Sequence, residues 1–254
     1  MIVTKDFVLL NYPKTGSSYM RECIKQLYKE DSLFNSIFYK QEVFKELYFP
    51  KIYGNPSSNY KDQHGIAKQI PKMYQDRPIL TVVRNPLERI TSSYYFGWWK
   101  RNPVGEISSI EKEYPDYPNI DLLTYAKLLN NPKLTPSNLL PQYADTLGYS
   151  TRLFLIFYSE DPEHSAQRLI SGQTEDLLGV IKPNIHFLKQ EHLQEDLTQY
   201  IKTHTSRDHK VLSSVPEKNK GNYNKKAYDN DFVEYMLSMD KYLINTFYKN
   251  EITL

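Results

Sequence analysis

The stretch from Phe7 to Tyr28, FVLLNYPKTGSSYMRECIKQLY, constrains the fold more than any other part of the chain. Four consecutive apolar residues, Phe7 to Leu10, lead into a turn running from Asn11 to Ser18. Beyond it, apolar side chains recur at Met20, Cys23, Ile24, Leu27 and Tyr28, the spacing of one helical face. A short apolar run, a turn and an amphipathic helix predict a buried parallel strand feeding a helix. The turn carries Lys14, Gly16 and the hydroxyls of Thr15, Ser17 and Ser18. Backbone N–H groups at a helix start lack intrahelical partners and attract an anion, so a phosphate is the simplest ligand. The bland alternative is an ordinary strand–turn–helix with a surface lysine.

A second segment repeats this logic. Ile79 to Val83 is an apolar run that predicts another buried strand, and it leads straight into Arg84-Asn85-Pro86-Leu87-Glu88-Arg89-Ile90-Thr91-Ser92-Ser93-Tyr94. Pro86 suits the first turn of a helix, and Leu87, Ile90, Tyr94 and Trp98 give it an expected apolar face. Ligands of open parallel sheets bind outside the carboxyl ends of the strands, so Arg84 is expected on the same edge as Lys14. The nucleoside-triphosphate loop, Gly-x-x-x-x-Gly-Lys-Ser/Thr, is absent: Lys14 precedes Gly16, and no Gly-Lys-Ser/Thr occurs in the chain.

Pro13-Lys14-Thr15-Gly16-Ser17-Ser18 resembles the 5′-phosphosulfate loop of sulfotransferases that use 3′-phosphoadenosine 5′-phosphosulfate (PAPS). The pattern Arg-x-Pro-x-x-Arg-x-x-Ser-x-Tyr from Arg84 to Tyr94 resembles the 3′-phosphate motif of the same family. The resemblance implies a P-loop-like α/β fold, a central parallel sheet flanked by helices, spanning residues 1–254 as a single sulfotransferase domain. It also implies site roles. Lys14, Thr15, Gly16, Ser17 and Ser18 would hold the 5′-phosphate, and Arg84 and Ser92 the 3′-phosphate. A histidine upstream of the second strand serves as general base in hydroxyl-sulfating members, and His64-Gly65-Ile66 through Ile70-Pro71 is similar to that segment. An imidazole titrates near the working pH, which suits it to take the acceptor proton. Some carbohydrate members use a Glu instead, which would turn attention to Glu42 or Glu46. The implied reaction is in-line transfer of a sulfuryl group from PAPS, as co-substrate, to an acceptor hydroxyl of a carbohydrate or small molecule. Lys14 would neutralise the leaving phosphate, and no metal is expected.

Two further segments resemble the family with departures. Lys218 and Lys220 stand where a basic loop closes over the nucleotide, but Asn219-Lys220-Gly221 lacks the family's hydroxyl. Glu191, Leu193 and Asp196 match an element joining a late strand to a helix, whereas Lys189-Gln190 replace the usual Arg-Tyr; this element is structural in the family.

Composition restricts the setting. With 40% apolar and 24% charged residues the chain is globular, and a net charge of +2 by itself neither requires nor excludes a polyanionic partner. No nucleic-acid partner is expected. The single cysteine, Cys23, rules out an intrachain disulfide. No signal peptide is recognisable and no apolar run approaches the ~20 residues of a membrane span, so a soluble, cytoplasmic protein is expected.

Elsewhere, helices are expected near 39–48, 120–130, 162–171 and 193–202, and a core-facing one from Phe232 to Phe247. Strands are expected at 151–158 and 186–188. Residues 97–150, rich in proline, read as a substrate-side insertion. Trp98 and Trp99 beside Lys100 and Arg101 suit sugar rings or an acidic acceptor, or simply a core Trp98 with solvated cations. Two other classes remain open: a kinase-like phosphotransferase using ATP and magnesium, and a non-catalytic phosphonucleotide-binding protein.

Overall fold

A computed structural model describes residues 1–29, 44–50, 61–216 and 228–251. In chain order these form β1 (Ile2–Thr4), β2 (Val8–Leu9), α1 (Ser17–Leu27), β3 (Phe44–Glu46), β4 (Phe49–Pro50), β5 (Lys61–Asp62), β6 (Ile79–Val83), α2 (Pro86–Phe96), α3 (Ile107–Glu113) and α4 (Leu122–Leu129). There follow α5 (Tyr149–Tyr158), α6 (Pro162–Ile170), β7 (Ile185–Lys189), α7 (Leu193–His204), α8 (Asn230–Met239) and α9 (Lys241–Phe247). The chain divides into two compact units. Among the described residues the first comprises 1–29, 44–50, 61–84 and 183–216, and the second 85–182 and 228–251. No helix among the described residues is long and apolar enough to cross a membrane.

The first unit is α/β, a sheet flanked by helices. Its five-stranded sheet has the order β3-β1-β2-β6-β7. The expected parallel centre is present: Val8 and Leu9 pair with Ile79 and Leu80, and β6 pairs with β7 from Ile79↔Ile185 to Val83↔Lys189. The sheet as a whole is mixed, because β1 runs antiparallel to both β2 and β3. The Thr4 hydroxyl makes the β1–β2 turn. It donates to Phe7 O at 2.8 Å and accepts from the Phe7 N–H at 3.0 Å, so the chain reverses within a few residues.

Strand register explains the core. Leu9 and Leu80 are paired, as are Val82 and Leu188, and paired residues point to one face. Against this face pack Met20, Cys23, Ile24 and Leu27 of α1 and Leu193, Leu197 and Ile201 of α7. Each such leucine or isoleucine removed from water contributes about 1.5–3 kcal/mol. Cys23 is part of this packing, and burial pushes its thiol up to about 11.

Phe44–Glu46, expected within a helix over 39–48, is instead the edge strand β3; residues 39–43, and with them Glu42, lie outside the described residues. Strand β1 offers Ile2, Val3 and Thr4 as antiparallel partners for Glu46, Lys45 and Phe44, and this ladder overrides local helical spacing.

The second unit is helical in its described residues. Leu87 and Ile90 of α2, Trp99, Leu128 and Leu129 of α4 and Phe232 and Met236 of α8 share one core. Residues 151–158 form helix α5 rather than a strand. Every residue from Ser150 to Tyr158 is buried, so the helix is apolar all round and its sequence shows no periodicity to separate it from a buried strand. Arg152 lies fully buried on it and donates to the carbonyls of Leu147, Leu139 and Leu129 and to Asn130 Oδ1, at 2.6–3.2 Å. Burial pulls this guanidinium down to about 10.

The expected helix over 232–247 is broken at Asp240 into α8 and α9. The Asp240 side chain turns inward, where Oδ1 accepts from the Thr151 N–H at 2.8 Å and the Thr151 hydroxyl at 2.9 Å. Within 97–150 the expected helix is α4, and α3 is a further one.

Candidate functional site

The site is built on the Asn11–Ser18 turn of the first unit. Because β2 and β6 are parallel and adjacent, their C-terminal ends emerge side by side. The Leu10 N–H donates to Leu80 O at 2.9 Å and the Thr81 hydroxyl to Leu10 O at 3.0 Å, which fixes where the turn begins. Lys14 and Arg84 therefore share a sheet edge. Arg84 Nη1 lies 3.4 Å from Lys14 O, a long hydrogen bond joining the two segments.

Two residues of the turn have left-handed backbones, Lys14 at φ 66° and Gly16 at φ 83°. For Gly16 that conformation carries no side-chain penalty. A Cβ there would also lie 3.1 Å from Leu193 Cδ2 and 3.5 Å from Gln190 Cγ, so the β7–α7 junction packs directly on the turn. That junction is held by Asp196, whose Oδ2 accepts from the Lys189 N–H at 2.8 Å. The Thr15 hydroxyl is fully buried and donates to Tyr12 O at 2.8 Å, bracing the turn from inside. Lys14, Gly16 and Ser17 are half-buried and Ser18 is exposed. Helix α1 starts at Ser17 with no side-chain cap and no acidic residue in its first turn. Its N-terminal N–H groups and positive dipole end suit an anion.

His64 joins the same turn. Its Nδ1 lies 2.6 Å from Asn11 O, and a carbonyl can only accept, so Nδ1 carries the proton. The lone pair of the neutral ring then sits on Nε2. Asn11 Nδ2 donates to Gln63 O at 3.3 Å, giving the segment a second tie. Asp62 Oδ1 accepts from the His64 N–H at 3.1 Å and lies 3.8 Å from Nε2. Burial pulls His64 below its ordinary value; Asp62 and the Asn11 carbonyl push upward, the Arg21 guanidinium downward, and the net shift is down. The neutral, basic form is thus favoured. Glu46 is differently placed. Burial would raise its carboxyl, but the Lys25 hydrogen bond and the Arg21 charge outweigh it and hold the group below the usual carboxylate range. With Arg21 at 2.8 Å and Lys25 at 3.0 Å, it is an ion-paired carboxylate and a weak base.

The remaining sequence-predicted residues belong to the second unit or lie outside the described residues. Ser92 is half-buried on α2 of the second unit, whose first turn Asn85 caps by accepting from the Leu87 N–H at 3.0 Å. Arg89 is buried in the second unit, donating to Ser150 Oγ at 3.2 Å with its guanidinium 5.4 Å from the Tyr149 ring centre. The apolar face expected to take in Trp98 takes in Trp99 instead: Trp99 is 5% exposed and Trp98 59%. Lys218 and Lys220 lie outside the described residues. Among the described residues no three His, Cys, Asp or Glu side chains group to hold a metal ion.

Sequence reasoning passed over Asn11 and Asp62, which position His64, and the packing of Gln190 and Leu193 on Gly16. Only the match at Leu193 and Asp196 hinted that the β7–α7 junction belonged near the turn. No family model matches the chain, and no curated protein matches it.

Proposed function

We propose that the protein transfers a sulfuryl group from PAPS to an acceptor hydroxyl of a carbohydrate or other small molecule. The observation that carries this reading is convergence on one turn. Lys14 lies within it, Arg84 bonds its backbone at Lys14 O, and His64 bonds it at Asn11 O.

Lys14, the N–H groups of residues 15–18 and the hydroxyls of Ser17 and Ser18 are the donors for the 5′-phosphate. The buried Thr15 hydroxyl already donates to Tyr12 O, so Thr15 contributes through its backbone. Arg84 suits the 3′-phosphate, since a guanidinium can offer two parallel hydrogen bonds. The part of Ser92 in holding the 3′-phosphate rests on the family resemblance alone.

PAPS supplies a sulfuryl group on a phosphate leaving oxygen. His64 Nε2 takes the acceptor's proton as the hydroxyl oxygen bonds to sulfur, and Asp62 stabilises the resulting imidazolium. The sulfur–oxygen bond to phosphate breaks, its electron pair leaves on the phosphate oxygen, and Lys14 neutralises the charge. The products are a sulfate ester and 3′-phosphoadenosine 5′-phosphate.

Thermal unfolding with 3′-phosphoadenosine 5′-phosphate, AMP and ATP-magnesium tests the reading, because a ligand of the folded state raises Tm. A rise specific to the 3′-phosphorylated nucleotide is expected. An equal rise with ATP-magnesium would favour a phosphotransferase, and no rise would leave the donor site without support.

A further inference from the structure

The second unit holds large aromatic side chains in solvent at one place. Tyr95, Phe96 and Trp98 are 57%, 65% and 59% exposed. They are consecutive apart from Gly97, whose left-handed φ of 69° ends α2 and turns the chain. The turn is pinned from below by Trp99. That ring stacks on Tyr94 at 5.8 Å, lies 4.7 Å from the Tyr125 ring, and its Nε1 donates to Tyr94 O at 3.0 Å. Burial of Trp99 fixes its neighbours outward, so the aromatic group is a held feature of the surface. Lys100 and Arg101 follow directly, and both are exposed.

Keeping three adjacent aromatic rings in water is unfavourable, and a clustered exposed apolar patch marks a site of interaction. The chemistry of the patch narrows the partner. Phe96 has no polar atom, so a ligand recognised through hydrogen bonds gains little from it. Each of the three residues has more than half of its surface in solvent. Tyr and Trp suit the boundary of a bilayer, where the ring meets acyl chains and the polar tip meets headgroups. The nearest exposed charges along the chain have the matching sign. Between Glu88 and Glu106 the only charged residues are Arg89, which is buried, and the exposed Lys100 and Arg101.

We propose that Tyr95, Phe96 and Trp98, with Lys100 and Arg101, form a peripheral docking site for an anionic lipid surface. The rings enter the interface, and the two cations meet headgroup phosphates and carboxylates. This inference does not depend on the sulfuryl-transfer reading.

The test is co-sedimentation of the full chain with vesicles of phosphatidylcholine alone and of phosphatidylcholine with phosphatidylserine. The protein is expected to bind the phosphatidylserine vesicles, more weakly as salt rises, with a blue shift of tryptophan emission. Trp98→Ala is expected to weaken binding about tenfold. Because Trp98 is exposed, that variant should keep the wild-type Tm, which separates lost docking from lost folding. Lys100→Glu with Arg101→Glu is expected to remove the preference for phosphatidylserine. Binding that ignores phosphatidylserine, or that Trp98→Ala leaves unchanged, would overturn the proposal. So would a dimer that Trp98→Ala dissociates, or Trp98-dependent binding to heparin without binding to vesicles.

Discussion

Arg84 Nη1 lies 3.4 Å from the backbone oxygen of Lys14, so the end of one parallel strand reaches the turn that follows its neighbour. The link places a planar fork of donors beside the positive end of α1. Arg84→Lys keeps the charge but loses the fork. In the proposed function it should weaken 3′-phosphoadenosine 5′-phosphate about tenfold, and Arg84→Ala about a hundredfold, the range for hydrogen bonds to a charged group. Calorimetric titration of both variants measures the two losses.

His64 should titrate below its ordinary 6.5, and Asp62→Asn should lower it further, because the Asp62 charge acts to raise it. NMR titration of the ring protons reads this directly. The unfolded chain binds that proton more readily than the folded chain. The stability from neutral His64, present above about pH 6.5, is therefore lost as pH falls through the folded-state value. In the proposed function, the acid limb of the transfer rate should follow the same value and move with Asp62→Asn.

Gly16→Ala places a Cβ on a left-handed backbone at φ 83°, 3.1 Å from Leu193 Cδ2. Denaturant unfolding should show a loss of about 1–3 kcal/mol. In the proposed function, nucleotide binding should weaken as well, since the strain falls at the residue just before α1.

Gly148→Ala should destabilise the second unit by about 1–3 kcal/mol, because its Cβ would overlap Asp240 Oδ1 and lie 2.5 Å from Asp240 Cγ. Asp240 itself gives a pH signature. Burial holds its carboxyl above the usual range, although the bonds from Thr151 oppose this. The folded state thus binds the proton more tightly. Its contribution is full below the unfolded-state value and is lost as pH rises through the folded-state value. Unfolding midpoints taken across acid pH should show that fall in wild type and a flatter profile in Asp240→Asn.

The turn and its helix could be read from the chain because the apolar pattern changes there from a continuous run to helical spacing, at Leu10 and again at Met20. The parallel pairing of β2 with β6 followed from two such segments. The reversal at Thr4 left little trace, since β1 is three residues long and one hydroxyl makes the turn. Helix α5 was hidden because burial on every side leaves no periodicity. The break at Asp240 depends on Thr151, 89 residues away in sequence, and the tie between His64 and Asn11 uses a main-chain carbonyl that no side-chain pattern encodes. Tertiary partners decided each of these.

In the proposed function, the turn around Lys14 and the strand end at Arg84 together recognise a nucleotide phosphorylated at both 5′ and 3′ positions. Calorimetric titration of wild type and Arg84→Ala with 3′-phosphoadenosine 5′-phosphate and with AMP tests it most directly. Wild type should prefer the 3′-phosphorylated nucleotide strongly, and Arg84→Ala should bring the two affinities together. Equal affinities in wild type, or a preference that survives Arg84→Ala, would rule out a 3′-phosphate site at Arg84.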